Sequence, residues 1–574
     1  MKRIVKAVVN KTKALRERLN GSLFYAQKPI VIPDAQYVIP EAQWYVNGEP
    51  TKGVLETQRK EVFSNKPLIT MILPIKEILH ESLIELFNSL KAQTYSNWEA
   101  HVIDNSGEKS LELKKLYRLD KRIKYHYKNR PKLNNNYIGF LKQNYTLSPF
   151  ALYEIVCHIN NHADTDVIYC DEDKINEEFR YELQLKPEFA PDTLLSNNYI
   201  KSFFFIKKDI LAGFNMDEIF NEDNYFKLIL HASEHAKRIT HIIQILTHKR
   251  YNRNYSTQEI SRISTQTIKY IQEHVKRLHA LECSVIYNEK NNTYSVIYDV
   301  AGTPKVSILI PNKDNIKLLK GCIESLVKLT TYANYEIVVI ENNSQSKDTF
   351  TFYDEIKAQP YIRVLHYPHS EFNYQKIINF GVKNSDADFI VQLNNDIELL
   401  TPNWLELMIG YAQRSDVGAV GVKLLLPDMS NQFAGGAFVN GVECCFHLFR
   451  EMPRDADGYM KRANIIQNLS WVTGACMMSR REIYKQVDFM DESFIIEYGD
   501  IGFCMKIKKL GKLIIYNPLV ELIHFECQTR GSPETNDMTE NSDKEKKQFQ
   551  QKWNEVLIKN DPYYNPQIGT VCER

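Results

Sequence analysis

The chain has 574 residues, with 72 Lys and Arg against 71 Asp and Glu, and at about 150 residues per domain that length exceeds one ordinary core. Hydrophobic residues at 43%, charged residues at 25% and a mean hydropathy of −0.39 exclude a disordered chain, and no run approaches the roughly 18 apolar residues of a membrane-crossing helix. A net charge of +1 argues against a chain-wide nucleic-acid-binding role, which needs a concentrated basic face.

In chain order, the first 20 residues come first, with seven basic residues and one acidic one. Ile4, Val5, Val8, Val9, Leu15 and Leu19 fall near one helical face, opposite the Lys and Arg. Such a helix either lies in the headgroup region of an anionic membrane or packs, solvated, on the body of the protein. Met1-Lys2-Arg3 is not followed by the apolar core and cleavage site of a secretory signal. Ten Cys occur without a CxxC pair, Cys444-Cys445 being the only adjacent two. That usage fits a reduced, cytosolic protein whose cysteines are small buried residues, with no zinc site suggested by spacing.

A long-period repeat follows. "ITMILP" from Ile69 and "VSILIP" from Val306 are short branched apolar runs, each ended by a proline, and Pro74 and Pro311 are 237 positions apart. After each comes a helical stretch and a second strand. Thr94 and Thr331, Asn97 and Asn334, Glu99 and Glu336, and Asp104 and Glu341 keep the same offset. Strand, helix, strand with an acidic residue at the end of the second strand opens a parallel α/β domain, whose ligands sit beyond the carboxyl ends of the strands. Both halves are therefore expected to begin with a nucleotide-binding crevice.

Residues 251–300 read as an ordered connector rather than a flexible linker. Ile260, Ile263, Ile268, Ile271, Val275 and Leu278 give an amphipathic helix, and strand-like pieces follow around Val285 and Tyr294. In the second half, Phe389 to Leu393 make a strand that ends in Asn394-Asn395-Asp396. A carboxylate there, inside such a crevice, suits a hard divalent cation held against a diphosphate. As a bare tripeptide the same residues would read as an Asx turn.

The context decides. Together "ILIPNKD", "LNNDIEL", "SWVTGACMMSRR", "FMDESFIIEYGDIGFCMKIKKLG" and "ELIHFECQTRG", in this order and spacing, resemble the family 2 glycosyltransferases of GT-A fold. The nearer likeness is to tandem-domain bacterial members that build O-antigen, rhamnan and other surface polysaccharides, and it runs from about Pro67 to Gln567. It implies an α/β fold with two GT-A domains in tandem. Residues 1–66 would be a basic lead-in, 67–250 a degenerate domain, 251–300 the helical connector and 301–574 the catalytic domain with a C-terminal extension.

By that resemblance Pro311, Asn312, Lys313 and Glu341 surround the nucleobase and ribose of a nucleoside-diphosphate sugar; the family usually has Asp where Glu341 stands. Asp396 matches the last Asp of the metal motif, whose first Asp is replaced by Asn394, and His524 matches a metal-binding histidine. Mn²⁺ or Mg²⁺ is the implied cofactor. Arg530 matches a basic residue near the diphosphate. Asp500 aligns with the catalytic base, which takes a proton from the acceptor hydroxyl in inverting transfer. A second Asp commonly follows two positions later, where this chain has Gly502, and Glu497 and Asp491 are the fallback bases. Trp471, Thr473 and Gly474 lie where the family lines its acceptor site, and Phe372, Asn373 and Tyr374 match a segment near the donor diphosphate.

The first half resembles the other domain of the same proteins, without the metal motif. Leu141-Lys142-Gln143-Asn144 stands in its place, and the fixed charge of Lys142 would repel a cation. Asp223 and His248 are read as the counterparts of Asp500 and His524, and Asp171-Glu172-Asp173 as a structural or acceptor-side element. The resulting expectation is one metal-dependent inverting glycosyltransferase site, in the second domain. It would move a sugar, rhamnose from dTDP-rhamnose by the likeness, to a lipid-linked or oligosaccharide acceptor. The enzyme would be cytoplasmic, peripheral on the inner face of the membrane, with no nucleic-acid partner. Alternative readings are a bifunctional polymerase with a metal-independent first site and a non-catalytic glycan-binding scaffold.

Overall fold

The computed structural model describes residues 49–77, 80–107, 120–133, 135–176, 180–250, 256–439, 445–526 and 536–568. The expected N-terminal helix and Arg530 lie outside the described residues. The chain is mixed α/β and forms two compact units, which divide between Tyr270 and Ile271 inside the helix Thr257–His279; the segment Ala190–Asn197 belongs to the second unit.

In the first unit the strands are β1 (Ile69–Ile75), β2 (Trp98–Asp104), β3 (Ile123–Tyr127), β4 (Tyr137–Phe140) and β5 (Tyr145–Leu147). They are followed by β6 (Val167–Ile175), β7 (Arg180–Gln184), β8 (Phe204–Lys207) and β9 (Ile239–Lys249). Their order in the sheet is β3-β2-β1-β4-β8-β6-β9-β5, with β7 on β6. β1 is buried at all seven positions; on one face Ile69, Met71, Leu73 and Ile75 pack in a single core with the helices His80–Lys91 and Ala151–Asn161, and a strand buried on both faces reads as a continuous apolar run.

The second unit opens with a hairpin of β10 (Cys283–Asn288) and β11 (Thr293–Tyr298), the two pieces expected around Val285 and Tyr294. The hairpin packs on the helix Trp404–Ala412. Tyr411 donates to the Val296 carbonyl at 2.8 Å, and a Cβ on Gly410 would come within 2.9 Å of the Tyr298 carbonyl oxygen, so the close approach requires glycine. In the helix Thr257–His279, Ile271 and Val275 are buried as expected, but Leu278 is 46% exposed: it sits in the final turn, beyond the packed stripe.

The larger sheet holds β12 (Val306–Asn312), β13 (Tyr335–Glu341), β14 (Ile362–His366), β15 (Phe389–Leu393), β16 (Ile397–Leu399) and β17 (Val417–Leu425). Short strands β18 (Asn431–Phe433), β19 (Gly436–Ala437), β20 (Phe446–His447) and β21 (Gln467–Leu469) precede β22 (Cys476–Arg480) and β23 (Leu513–His524). The order β14-β13-β12-β15-β22-β17-β23-β16 repeats that of the first unit, strand for strand.

Two boundaries differ from the sequence reading. Pro74 and Pro311 do not end their strands but lie one residue inside them. The pairing explains this: β12 meets β15 only as far as Leu309, so at Pro311 the missing N–H costs no bond on that side, and β1 meets β4 only as far as Ile72.

Candidate active site

Within the second unit, a cavity of about 800 Å³ lies beyond the carboxyl ends of β12 and β15, where the strands of an open α/β sheet present their last residues to ligand. Pro311, Asn312 and Lys313 line it from the end of β12, and Asn394, Asn395 and Asp396 from the turn after β15. The turn is held in place by Asn395, which donates to Asn312 Oδ1 at 2.7 Å; Asn312 in turn donates to the Tyr353 hydroxyl at 2.8 Å.

β16 carries the chain from this turn back along β23, and its first residue, Ile397, pairs with His524. That register sets His524 Nε2 3.2 Å from Asp396 Oδ1 and 3.3 Å from Asn394 Nδ2. Asp396 and His524 are 6% and 7% exposed; His524 Nδ1 has no hydrogen-bond partner, and Asp396 Oδ1 has none beyond the approach of His524 Nε2. Buried polar atoms without partners are uncommon and mark a place where an ion or water belongs. Among the described residues no group of three or more His, Cys, Asp or Glu side chains could hold a metal, so the chain offers an imidazole, a carboxylate and a neighbouring amide.

Asp500 faces the same cavity from the first turn of the helix Gly499–Lys509. Its carboxylate accepts from the Gly474 N–H at 2.7 Å and from the Ile501 N–H at 2.8 Å. Burial raises its pKa above the ordinary aspartate value, and these backbone donors partly offset the rise. A Cβ on Gly474 would lie 3.1 Å from Asp500 Cβ, and one on Gly499 would overlap Gln375 at 2.0 Å, so the two glycines admit the carboxylate and its neighbour. Tyr498, at φ 59°, turns the chain into this helix, and its ring stacks on Phe549 at 5.0 Å. Gly502 has no such demand: the nearest atom to an added Cβ is Trp553 Nε1, 3.9 Å away.

Not every expected residue reaches the cavity. Glu341 does not line it; the carboxylate is buried and accepts from Ser344 N, Ser344 Oγ and Tyr353 at 2.6, 2.6 and 2.7 Å, because it closes the turn after β13. Asn373 caps its helix by accepting from Lys376 N at 2.9 Å, whereas Phe372 and Tyr374 do line the space. Asp491 is paired with Lys552 outside the cavity; Glu497 lines it and accepts from Ser542 Oγ at 2.6 Å. Thr473 and Gly474 are on the wall. Trp471 is also on it but only 1% exposed, its ring packed on Phe433 and His447 rather than presented as an open face.

Three further lining residues, Gln375, His447 and Glu526, were not legible as such. Burial holds the His447 imidazole down to about 4, so it is neutral near pH 7, and Glu526 is paired with Arg450 at 2.9 Å. Gln375 directly follows the quoted Phe372-Asn373-Tyr374, which was the available signal.

The first unit handles the corresponding positions differently. Asp223 is ion-paired to Lys76, and to Arg262 at 2.9 Å, which hold its carboxyl below the ordinary range against the rise from burial. His248 is fully buried between Asp173 at 2.6 Å and Ser148 at 2.9 Å. Its pairing corrects the sequence equivalence: Tyr145, the first residue of β5, faces Lys249, and it is Lys249 that occupies the register of His524. Asp171, Glu172 and Asp173 are buried: Asp171 pairs with His241 at 2.8 Å, Glu172 with Lys186 at 3.0 Å, and Asp173 with Arg180.

Residues 307–488 match the family model described as Glycosyl transferase family 2; Asp500 and His524 lie beyond the matched span. The chain is 29% identical over 88% of its length to the "Uncharacterized protein y4gI" of Sinorhizobium fredii, covering 58% of that protein. It is 28% identical over 92% of its length to the O-antigen biosynthesis protein RfbC of Myxococcus xanthus, covering 42% of that protein. The chain thus spans about half the length of these relatives. A solved structure of GalNAc-T7 with UDP, GalNAc and Mn²⁺ aligns with 45% of this chain and 50% of its own, at 15% identity and a TM-score of 0.34. The cavity therefore lies in a unit whose residues 307–488 belong to glycosyl transferase family 2.

Proposed function

We propose that the second unit is a metal-dependent, inverting glycosyltransferase of GT-A fold, one of two such domains in tandem, that extends a bacterial surface glycan. The carrying observation is that Asp500, fixed by two backbone N–H donors, shares one cavity with the Asp396–His524 pair. The family match and the similarity to an O-antigen biosynthesis protein support the reaction class and the setting.

A divalent cation fits here. Asp396 and His524 would hold it, and the few protein ligands suit an ion completed by substrate phosphate oxygens; when bound it would offset charge on the departing diphosphate. Asp500 takes the proton from the acceptor hydroxyl as that oxygen attacks the anomeric carbon from the face opposite the leaving group. Its raised pKa strengthens it as a base, and the N–H donors of Gly474 and Ile501 keep it aimed. Asn312, Asn395 and Lys313 border the donor side, Arg530 being the basic residue that the motif likeness assigns to the diphosphate; Thr473, Gly474 and Trp471 border the acceptor. Rhamnose from a dTDP donor is the sugar the motif likeness favours. The basic N-terminal segment would bring the enzyme to the inner membrane surface; among the described residues no helix is long and apolar enough to cross a membrane.

A nucleotide-sugar panel with synthetic acceptors tests the proposal. Transfer should require Mn²⁺ or Mg²⁺, stop in EDTA, and fall at least tenfold in Asp396→Ala. Full activity in EDTA would remove the metal from the mechanism.

A further inference from the structure

Between the helices Arg481–Gln486 and Gly499–Lys509 the second unit forms no strand, yet this segment brings Ile496, Glu497 and Tyr498 to the cavity wall and leads directly into Asp500. Without a sheet neighbour, its backbone groups are satisfied by other elements. Its carbonyls face the helix Tyr374–Lys383 and the Asn373 that caps it. Asn379 Nδ2 donates to the Met490 carbonyl at 3.0 Å, Asn373 Nδ2 to that of Glu492 at 2.9 Å, and Tyr374 N to that of Ile495 at 2.8 Å.

The N–H groups face a different helix, Asn536–Leu557. Glu545 accepts from Ile495 N at 2.6 Å with one carboxylate oxygen and from Glu497 N at 2.7 Å with the other, and Ile496 N lies 3.4 Å from each. Hydrogen bonds from backbone N–H to an ionised carboxylate are among the stronger ones. In the charged run from Asp543 to Lys547, Glu545 alone is buried, at 7% exposed. A carboxylate taken out of water in an otherwise solvated stretch is costly unless its bonds replace hydration, and here those bonds all go to the segment ahead of Asp500.

The rest of the same helix face follows that segment. Ser542 donates to Glu497 Oε2 at 2.6 Å, Gln548 Nε2 to Ser493 Oγ at 2.9 Å, and Lys552 pairs with Asp491. The fully buried Phe549 ring lies 6.1 Å from Phe494 and 5.0 Å from Tyr498, the residue whose left-handed turn starts the Asp500 helix. Ser542, Glu545, Phe549 and Lys552 recur at helical spacing, so one face of a polar helix is matched to residues 491–498.

We propose that Glu545 is a positioning residue for Asp500: by holding the Ile495 and Glu497 N–H groups it fixes the entry to the base helix and so the aim of the carboxylate. The proposal rests on the reading of Asp500 as the base. Ile495 is 44% exposed, so water can replace Glu545 at these N–H groups, and the carbonyl bonds and Phe549 keep the segment folded while its aim loosens.

Steady-state sugar transfer by the wild-type chain, Glu545→Ala, Asp500→Asn and the double variant tests this, with a thermal melt of each. Glu545→Ala should lower kcat about tenfold and leave the donor KM within about twofold, and Glu545→Gln, which keeps one acceptor oxygen, should lose less. In the Asp500→Asn background Glu545→Ala should cost almost nothing further, because no base is left to aim. An unchanged kcat in Glu545→Ala, or a loss equally large in the Asp500→Asn background, would overturn the proposal, the second result being that of a residue that only supports the fold. If Glu545→Ala fails to fold, Glu545→Gln carries the same comparison. Full transfer by Asp500→Asn would remove the base and this role with it, whereas an inactive Asp500→Asn beside a fully active Glu545→Ala would overturn the role of Glu545 alone.

Discussion

In the proposed mechanism Asp500 is the residue on which the chemistry turns, and its neighbours explain how a single carboxylate would serve. The Gly474 and Ile501 N–H groups fix both oxygens, and burial lifts the pKa. Activity that needs the ionised form is lost as pH falls through that raised value, so the acid limb of kcat/KM should lie above the ordinary aspartate range. The sharper prediction concerns Gly474. Gly474→Ala puts a methyl 3.1 Å from Asp500 Cβ and 3.4 Å from its Oδ2, which displaces the base without opening a cavity. A shift of this kind should cost on the order of 100-fold in kcat with the melting temperature nearly unchanged. Steady-state kinetics and a thermal melt check it, and unchanged kcat would show that the base tolerates the intrusion.

Among the elements, the short helix Pro191–Ser196 shows why part of the fold could not be read from pattern. It comes from the first half of the chain yet belongs to the second unit, where Asp192 pairs with Arg414 and accepts from Asn468 Nδ2 at 2.9 Å. Arg414 also pairs with Asp416 at 2.7 Å, and Asp192 and Arg414 are 2% and 3% exposed. Removing one partner of a buried ion pair strands the other, so Asp192→Ala should destabilise the second unit by about 3 kcal/mol, the lower end of the usual range because Asp416 stays. Denaturant unfolding measures this, and a loss below about 1 kcal/mol would contradict it. Strands and the 237-residue repeat were legible because they depend on local apolar runs. The docking of Pro191–Ser196 was not, because an isolated Asp carries no sign of an Arg more than 200 positions away. For the same reason Asp396, Asp500 and His524 were legible from ordered motifs, whereas the engagement of Glu341 by Tyr353 and the register of Lys249 needed the pairing itself.

On the scale of the whole molecule, one strand order occurs twice and the charges at its ligand-facing end have diverged. The second unit has the Asp396 carboxylate, the His524 imidazole and the Asp500 carboxylate, the proposed base, in one cavity. In the first, Asn144 and Lys249 stand in the register of the carboxylate and the imidazole, and Asp223 is locked in ion pairs. Transfer is therefore proposed for one unit of the two. The most direct measurement compares sugar transfer by the wild-type chain, Asp500→Asn and Asp223→Asn under identical Mn²⁺ and donor concentrations. Asp500→Asn should lose roughly 100-fold or more, and Asp223→Asn should keep wild-type rates. Retained activity in the first variant, or its loss in the second, would contradict it.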